Sequence, residues 1–191
     1  MVDATQTRPK WAILSHHARY RRLTKVRRVW GGRCYSESTD YQGRTVYLDG
    51  TWINDVPSFY LTLGEAVNGP NGYFGAGLDA LADCLCGNFG VLPPLTIRLS
   101  HFDEVRKALD GRAWCRFHAE HFYAAVKEGE ATQVLIDAGY LGDGSENDIA
   151  RWTAIYRAAL TSGTLDYGEY NSYFDALLEV LKRSGAELLP D

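Results

Sequence analysis

Two short runs, RTVYLD (44–49) and PLTIRL (94–99), constrain the fold most. Both are rich in β-branched or aromatic residues and read as strands, yet two helical patterns stand between them. Asp49-Gly50 turns the chain after the first run. VPSFYLTLGEAV (56–67) then sets Phe59, Leu63, Ala66 and Val67 on one face, with Pro57 near its start, which predicts a helix despite Gly64. NGPNG (68–72) is a turn cluster. A second helix is predicted over 77–86, stopping at Gly87, and HFDEVRKAL (101–109) predicts a third, ending at Asp110-Gly111. Parallel pairing of two strands needs a crossover of about a dozen residues or more, and the two intervening helices supply it. The expected class is therefore α/β.

Further helices are predicted over 114–128, 146–161 and 169–184. The last has Tyr173, Leu177, Leu181 and Ser184 in one row, with Phe174 and Leu178 beside it. A left-handed C-cap is expected at Gly185, followed by a short strand in AELLPD that Pro190 interrupts. TQVLIDAGY (132–140) fits a strand or a short helix, and GDGSEN (142–147) reads as a loop. No element is assigned to residues 1–43.

At 191 residues and 46% apolar, the chain can bury a proper core. No apolar run approaches the roughly 18 residues needed to span a membrane. WAIL (11–14) is too short for a signal-peptide core and is followed by HHARYRR. Cysteines 34, 84, 86 and 115 form no CxxC pair, which favours reduced thiols and a cytoplasmic protein. The net charge of −4 hides an asymmetry. Residues 1–33 carry about +8 and the remainder about −12. An acidic body favours basic partners and repels nucleic acid, except through the basic arm 1–33, which either binds an anionic surface or folds back on that body.

YFGAGLDALADCL (73–85) contains an oddity. On a helix beginning at Leu78, Leu81 and Leu85 join Leu78 on one side, with Cys84 at the margin. Asp79 and Asp83 fall together on the opposite side, flanked by Ala80 and Ala82. Like charges four apart repel by a few tenths of a kcal/mol. No Lys or Arg within the stretch relieves them, though the helix dipole favours Asp79 in the first turn. The stripe is either a plain solvated face or a carboxylate pair held for an external cation. The preceding loop suggests the second. Tyr73 and Phe74 are candidate interface anchors, and Gly75 and Gly77 allow close backbone approach to a partner.

These residues resemble the barstar family of intracellular ribonuclease inhibitors. The resemblance rests on Tyr73-Phe74-Gly75, Leu78-Asp79-Ala80-Leu81 and Asp83-Cys84-Leu85. A strand ending in Leu48-Asp49-Gly50, a Pro94-Leu95 strand and a terminal helix that stops at a glycine before a last strand extend it over about 44–110 and 168–191. Gly77 and Ala82 stand where members often have a polar residue and a tryptophan. The resemblance implies a three-stranded parallel sheet packed on helices, with a basic N-terminal extension (1–43) ahead of a domain at 44–191. A helical insertion at about 111–167 interrupts that domain. It further implies an inhibitor or immunity protein, not an enzyme, that blocks a bacterial nuclease toxin one-to-one and needs no cofactor. Asp79 and Asp83 would meet the nuclease's catalytic cations in place of substrate phosphate, Asp83 mattering most. Tyr73 would stack on a catalytic histidine, and Glu179 on the terminal helix would contribute.

Other constellations carry less. Cys115, His118 and His121 lie at i, i+3 and i+6 of a predicted helix, so the third drifts off the face the first two share, and helix packing is favoured over a metal. Asp79 and Asp83 could match the roughly 5 Å carboxyl spacing of a retaining glycosidase, but from a convex surface without a cleft. Trp114, Phe117, Phe122, Tyr123, Trp152 and Tyr156 read as the insertion's own core, or else as an enlarged interface. The alternative function is a regulatory or scaffolding module that uses the insertion and the basic arm.

Overall fold

The computed structural model describes residues 8–31, 41–127, 146–162 and 172–191. TQVLIDAGY and positions 142–145 of the expected loop lie outside them, whereas Glu146 and Asn147 of that loop already open a helix. The chain forms two compact units. One comprises Met1–Leu109 with Phe174–Asp191, and the other is Asp110–Tyr173.

The described residues contain three strands, β1 (Tyr41–Leu48), β2 (Val91–Leu99) and β3 (Ala186–Pro190). They also contain α1 (His16–Gly31), α2 (Val56–Asn68), α3 (Leu78–Leu85), α4 (Phe102–Ala108), α5 (Gly111–Lys127), α6 (Glu146–Ser162) and α7 (Tyr173–Arg183). The sheet order is β1-β2-β3 and both pairings are parallel, as the α/β expectation required. Val46 lies beside Ile97 and Ile97 beside Leu188, so one face is a row of buried aliphatics. The other face carries Thr45, Tyr47, Thr96, Arg98 and Glu187, exposed or half-buried.

β2 starts at Val91, three residues before the predicted strand. Prolines 93 and 94 cannot donate to a ladder, and so they masked its beginning. Their tolerance is visible in the register. Gln42 pairs with Leu92 and Arg44 with Leu95, leaving Gly43 opposite both prolines in a bulge, while β3 pairing starts only at Leu95.

α2 is buried more completely than its predicted single face, from Val56 through Leu61 without a break. The reason is α1, which packs against α2 and was not legible in the sequence. Asp55, only 2% exposed, anchors the pair. Its carboxylate accepts from Arg19 Nη2 at 2.6 Å and Nε at 3.0 Å, and His16 Nδ1 lies 2.9 Å away. Asp55 also caps α2, accepting from the Ser58 backbone N–H at 2.9 Å in a capping box. Burial opposes its ionisation, but the hydrogen bonds from His16, Arg19 and Ser58 outweigh that and hold its carboxyl well below the usual range. The basic arm therefore folds back on the acidic body through Arg19. At the other end of α2, Arg44 Nη1 donates to the Val67 carbonyl at 2.7 Å, a cation suited to a helix C-terminus.

In the second unit, Tyr173 meets Trp114 edge-on at 5.6 Å and Phe117 at 6.1 Å, while Phe122 and Tyr156 lie 5.2 Å apart. These aromatics form that unit's core, with Tyr123 the most exposed of them. Burial, together with the nearby His121, pushes the His118 imidazole down to about 4. Among the described residues no cluster of three His, Cys, Asp or Glu side chains could hold a metal, and no helix is long and apolar enough to cross a membrane.

Candidate functional site: the acidic helix and its approach loop

α3 is an eight-residue helix with two chemically opposite sides. Leu81, Cys84 and Leu85 are buried, and α3 packs against β2. Asp79 and Asp83 are exposed, and their carboxylates have no hydrogen-bond or ion-pair partner among the described residues. Asp79 sits in the first turn, where the helix dipole favours it. The pair is therefore fixed in place by the apolar side of its own helix and left uncompensated among the described residues.

The approach loop is shaped from within. Asn68, the last residue of α2, donates through Nδ2 to the Tyr73 carbonyl at 2.7 Å and to the Phe89 carbonyl at 2.9 Å. One amide thereby ties the loop entering α3 to the loop leaving it. The Tyr73 and Phe89 rings meet at 6.0 Å. Gly72 presses against Gly64 of α2, where a Cβ would come within 2.3 Å of the Gly64 carbonyl oxygen. Sequence reasoning saw the NGPNG turn but missed the Asn68 clamp. An Asn at a helix end beside a glycine-rich turn is its only sequence signal.

The aromatics and Gly75 of the loop face this chain's own core. Phe74 is 0% exposed and Tyr73 6%, so both rings are buried in this chain. Gly75 has φ +92°, and a Cβ on it would meet Leu81 Cα and Tyr60 Cε1 at 3.1 Å each. Its missing side chain lets the loop pass close to this chain's own helices. Gly77 is half-buried at the N-cap of α3. Glu179 stands on α7, and its carboxylate accepts from Arg183 Nε at 2.7 Å, one turn further along the same helix.

Residues 43–136 match the family model described as Barstar (barnase inhibitor). This segment belongs to the barstar family. The barstar-family segment begins at β1, holds α2, the approach loop, α3, β2 and α4, and ends beyond α5. Comparison with curated proteins gave no match, and neither did comparison with solved structures.

Proposed function

We propose that this chain neutralises a ribonuclease toxin inside the cell that makes it, one-to-one, by lodging α3 in the enzyme's active site. The observation that carries this reading is the exposed, unpartnered Asp79–Asp83 pair on a helix locked from behind. A ribonuclease gathers cationic side chains to hold phosphate. Two carboxylates one helical turn apart offer those cations the charge that phosphate would bring. Because the helix is already formed and packed, little ordering entropy is lost on docking. The mutual repulsion of the two acids is mild in water and is relieved when guanidinium or ammonium groups insert between them. The acidic body speeds encounter with a basic enzyme, and salt slows it. In this reading Tyr73 and Phe74 hold the loop in shape, and Gly77 leaves the loop backbone open to the partner. Glu179 joins the interface by exchanging Arg183 for a cation of the nuclease.

The test is capture of a nuclease by the full chain from its own host, followed by titration of the captured activity. Asp83→Ala is expected to weaken inhibition by on the order of 2–5 kcal/mol, a magnitude carried over from barnase–barstar and comparable interfaces rather than derived from this chain. Asp79→Ala is expected to cost less. Inhibition unchanged in the Asp79→Ala/Asp83→Ala double variant would refute the reading. Loss of capture on deleting 111–167, with the double variant still binding, would support the regulatory module instead.

A further inference from the structure

A second surface of the first unit has different chemistry. A cleft of about 420 Å³ opens between the N-terminal segment, α1, the end of β1, α2 and the turn after it. Cations Arg8, Lys10 and Arg22 line it together with the rings of Tyr47 and Trp52. Tyr47 is 58% exposed. Arg8 and Lys10 are exposed and make no ion pair among the described residues. The Arg8 guanidinium lies over the Trp52 ring, 5.5 Å from its centroid, and a base stacking on that face would take its place while Arg8 turns to the phosphate. The Trp52 indole N–H and the Arg22 Nε–H are buried donors without an acceptor among the described residues. The two acids in the cleft are already engaged. Asp49 accepts from the Thr51 N–H at 3.0 Å, and Glu65 accepts from Trp11 Nε1 at 3.1 Å and the Asn71 N–H at 3.4 Å.

The cleft continues onto α1. Arg22 reaches Asn71 Oδ1 at 2.6 Å, inside the cleft. Lys25 is one helical turn from both Arg21 and Arg22, and Arg28 is one turn beyond Lys25. Arg21, Lys25 and Arg28 are exposed and unpartnered among the described residues. Rings that stack without reading an edge, set beside a line of cations, suit a single strand of nucleic acid. The cleft falls in the size range of small-ligand pockets, roughly 300–1,000 Å³, enough for one nucleotide but not a strand.

We propose that this cleft and the outer face of α1 bind single-stranded nucleic acid, one base stacking at Trp52 and Tyr47 and the following phosphates lying along Arg21, Lys25 and Arg28. The site shares no residue with Asp79 and Asp83, so it stands whether or not α3 blocks a nuclease. It would hold the protein on the polymer that a ribonuclease attacks.

The test is fluorescence anisotropy of a labelled ten-residue oligouridylate with the full chain. Saturable binding at 50 mM salt is expected, weakening roughly fiftyfold at 200 mM if about four phosphates are neutralised. Arg21→Glu/Lys25→Glu/Arg28→Glu is expected to weaken it by at least about tenfold, and Trp52→Leu by about tenfold through lost stacking. Tyr47→Ala, at an exposed position, gives a second stacking variant should Trp52 prove necessary for folding. Three results would each overturn the proposal: no binding at 50 mM salt, binding that survives both the triple charge reversal and Tyr47→Ala, or a duplex of equal length binding as tightly. Uridine monophosphate competing as well as the ten-mer would likewise overturn it in favour of a free-nucleotide site.

Discussion

Among single residues, the aspartates divide by what surrounds them. Asp55 is enclosed by Arg19, His16 and Ser58, and its charge is fully used within the chain. Asp79 and Asp83 are used by nothing among the described residues. The two kinds should respond oppositely to mutation. Arg19→Met leaves a buried carboxylate without its main partner, and denaturant unfolding is expected to show a loss of about 3–5 kcal/mol. Asp83→Ala removes only a mild repulsion, so the same measurement should show no loss of stability while inhibition is lost. None of this contrast was visible in the sequence for Asp55. Its partners are 36 and 39 residues away, and no periodicity connects them. For Asp79 and Asp83 it was visible, because a single helix and its wheel suffice to separate the acidic side from the apolar one.

For whole elements, legibility followed locality. α3 ends within a residue of its expected bounds because its stop at Gly87 and its two-sided pattern lie within the element. Gly185 adopts the expected left-handed conformation after α7, at φ +73°. α7 starts at Tyr173 rather than 169. α1 gave no sequence signal because its charges are spread around the helix, with Arg19 turned inward and Arg21 outward. The burial of the two aromatics before α3 was not legible for a similar reason. Glycine neighbours signal close approach but not the direction from which it comes. The loop they occupy depends on Asn68, which makes that residue the sharpest test of the element. Asn68→Ala removes both of its side-chain hydrogen bonds to carbonyls, and a loss of about 1–3 kcal/mol is expected. Hydrogen exchange should quicken around Tyr73 and Phe89, and inhibition should weaken with Asp79 and Asp83 intact.

At the level of the whole molecule, acid is expected to destabilise the two units in sequence. His118 stays neutral in the folded second unit down to about 4, against an ordinary value of 6.5. Between those values the unfolded chain takes up the proton and the folded chain does not, so stability falls as pH drops through that window. Asp55 acts later. Its folded-state value lies below the ordinary 3.8, so the stability it gives the first unit is present above that pH and drains away below it. Residue-resolved amide spectra during acid titration should show signals of 111–127 weakening before those of α2, and His118→Gln should abolish the earlier step. The junction between the units has one more consequence. The Phe174 backbone N–H donates to the Leu109 carbonyl at 3.0 Å, so the chain departs from the α/β frame and returns to it at a single point. Such a junction is a ready-made splice port. A lineage, or an engineer, could exchange the whole intervening cassette for a tight turn or a different module without re-threading the scaffold that presents the aspartates.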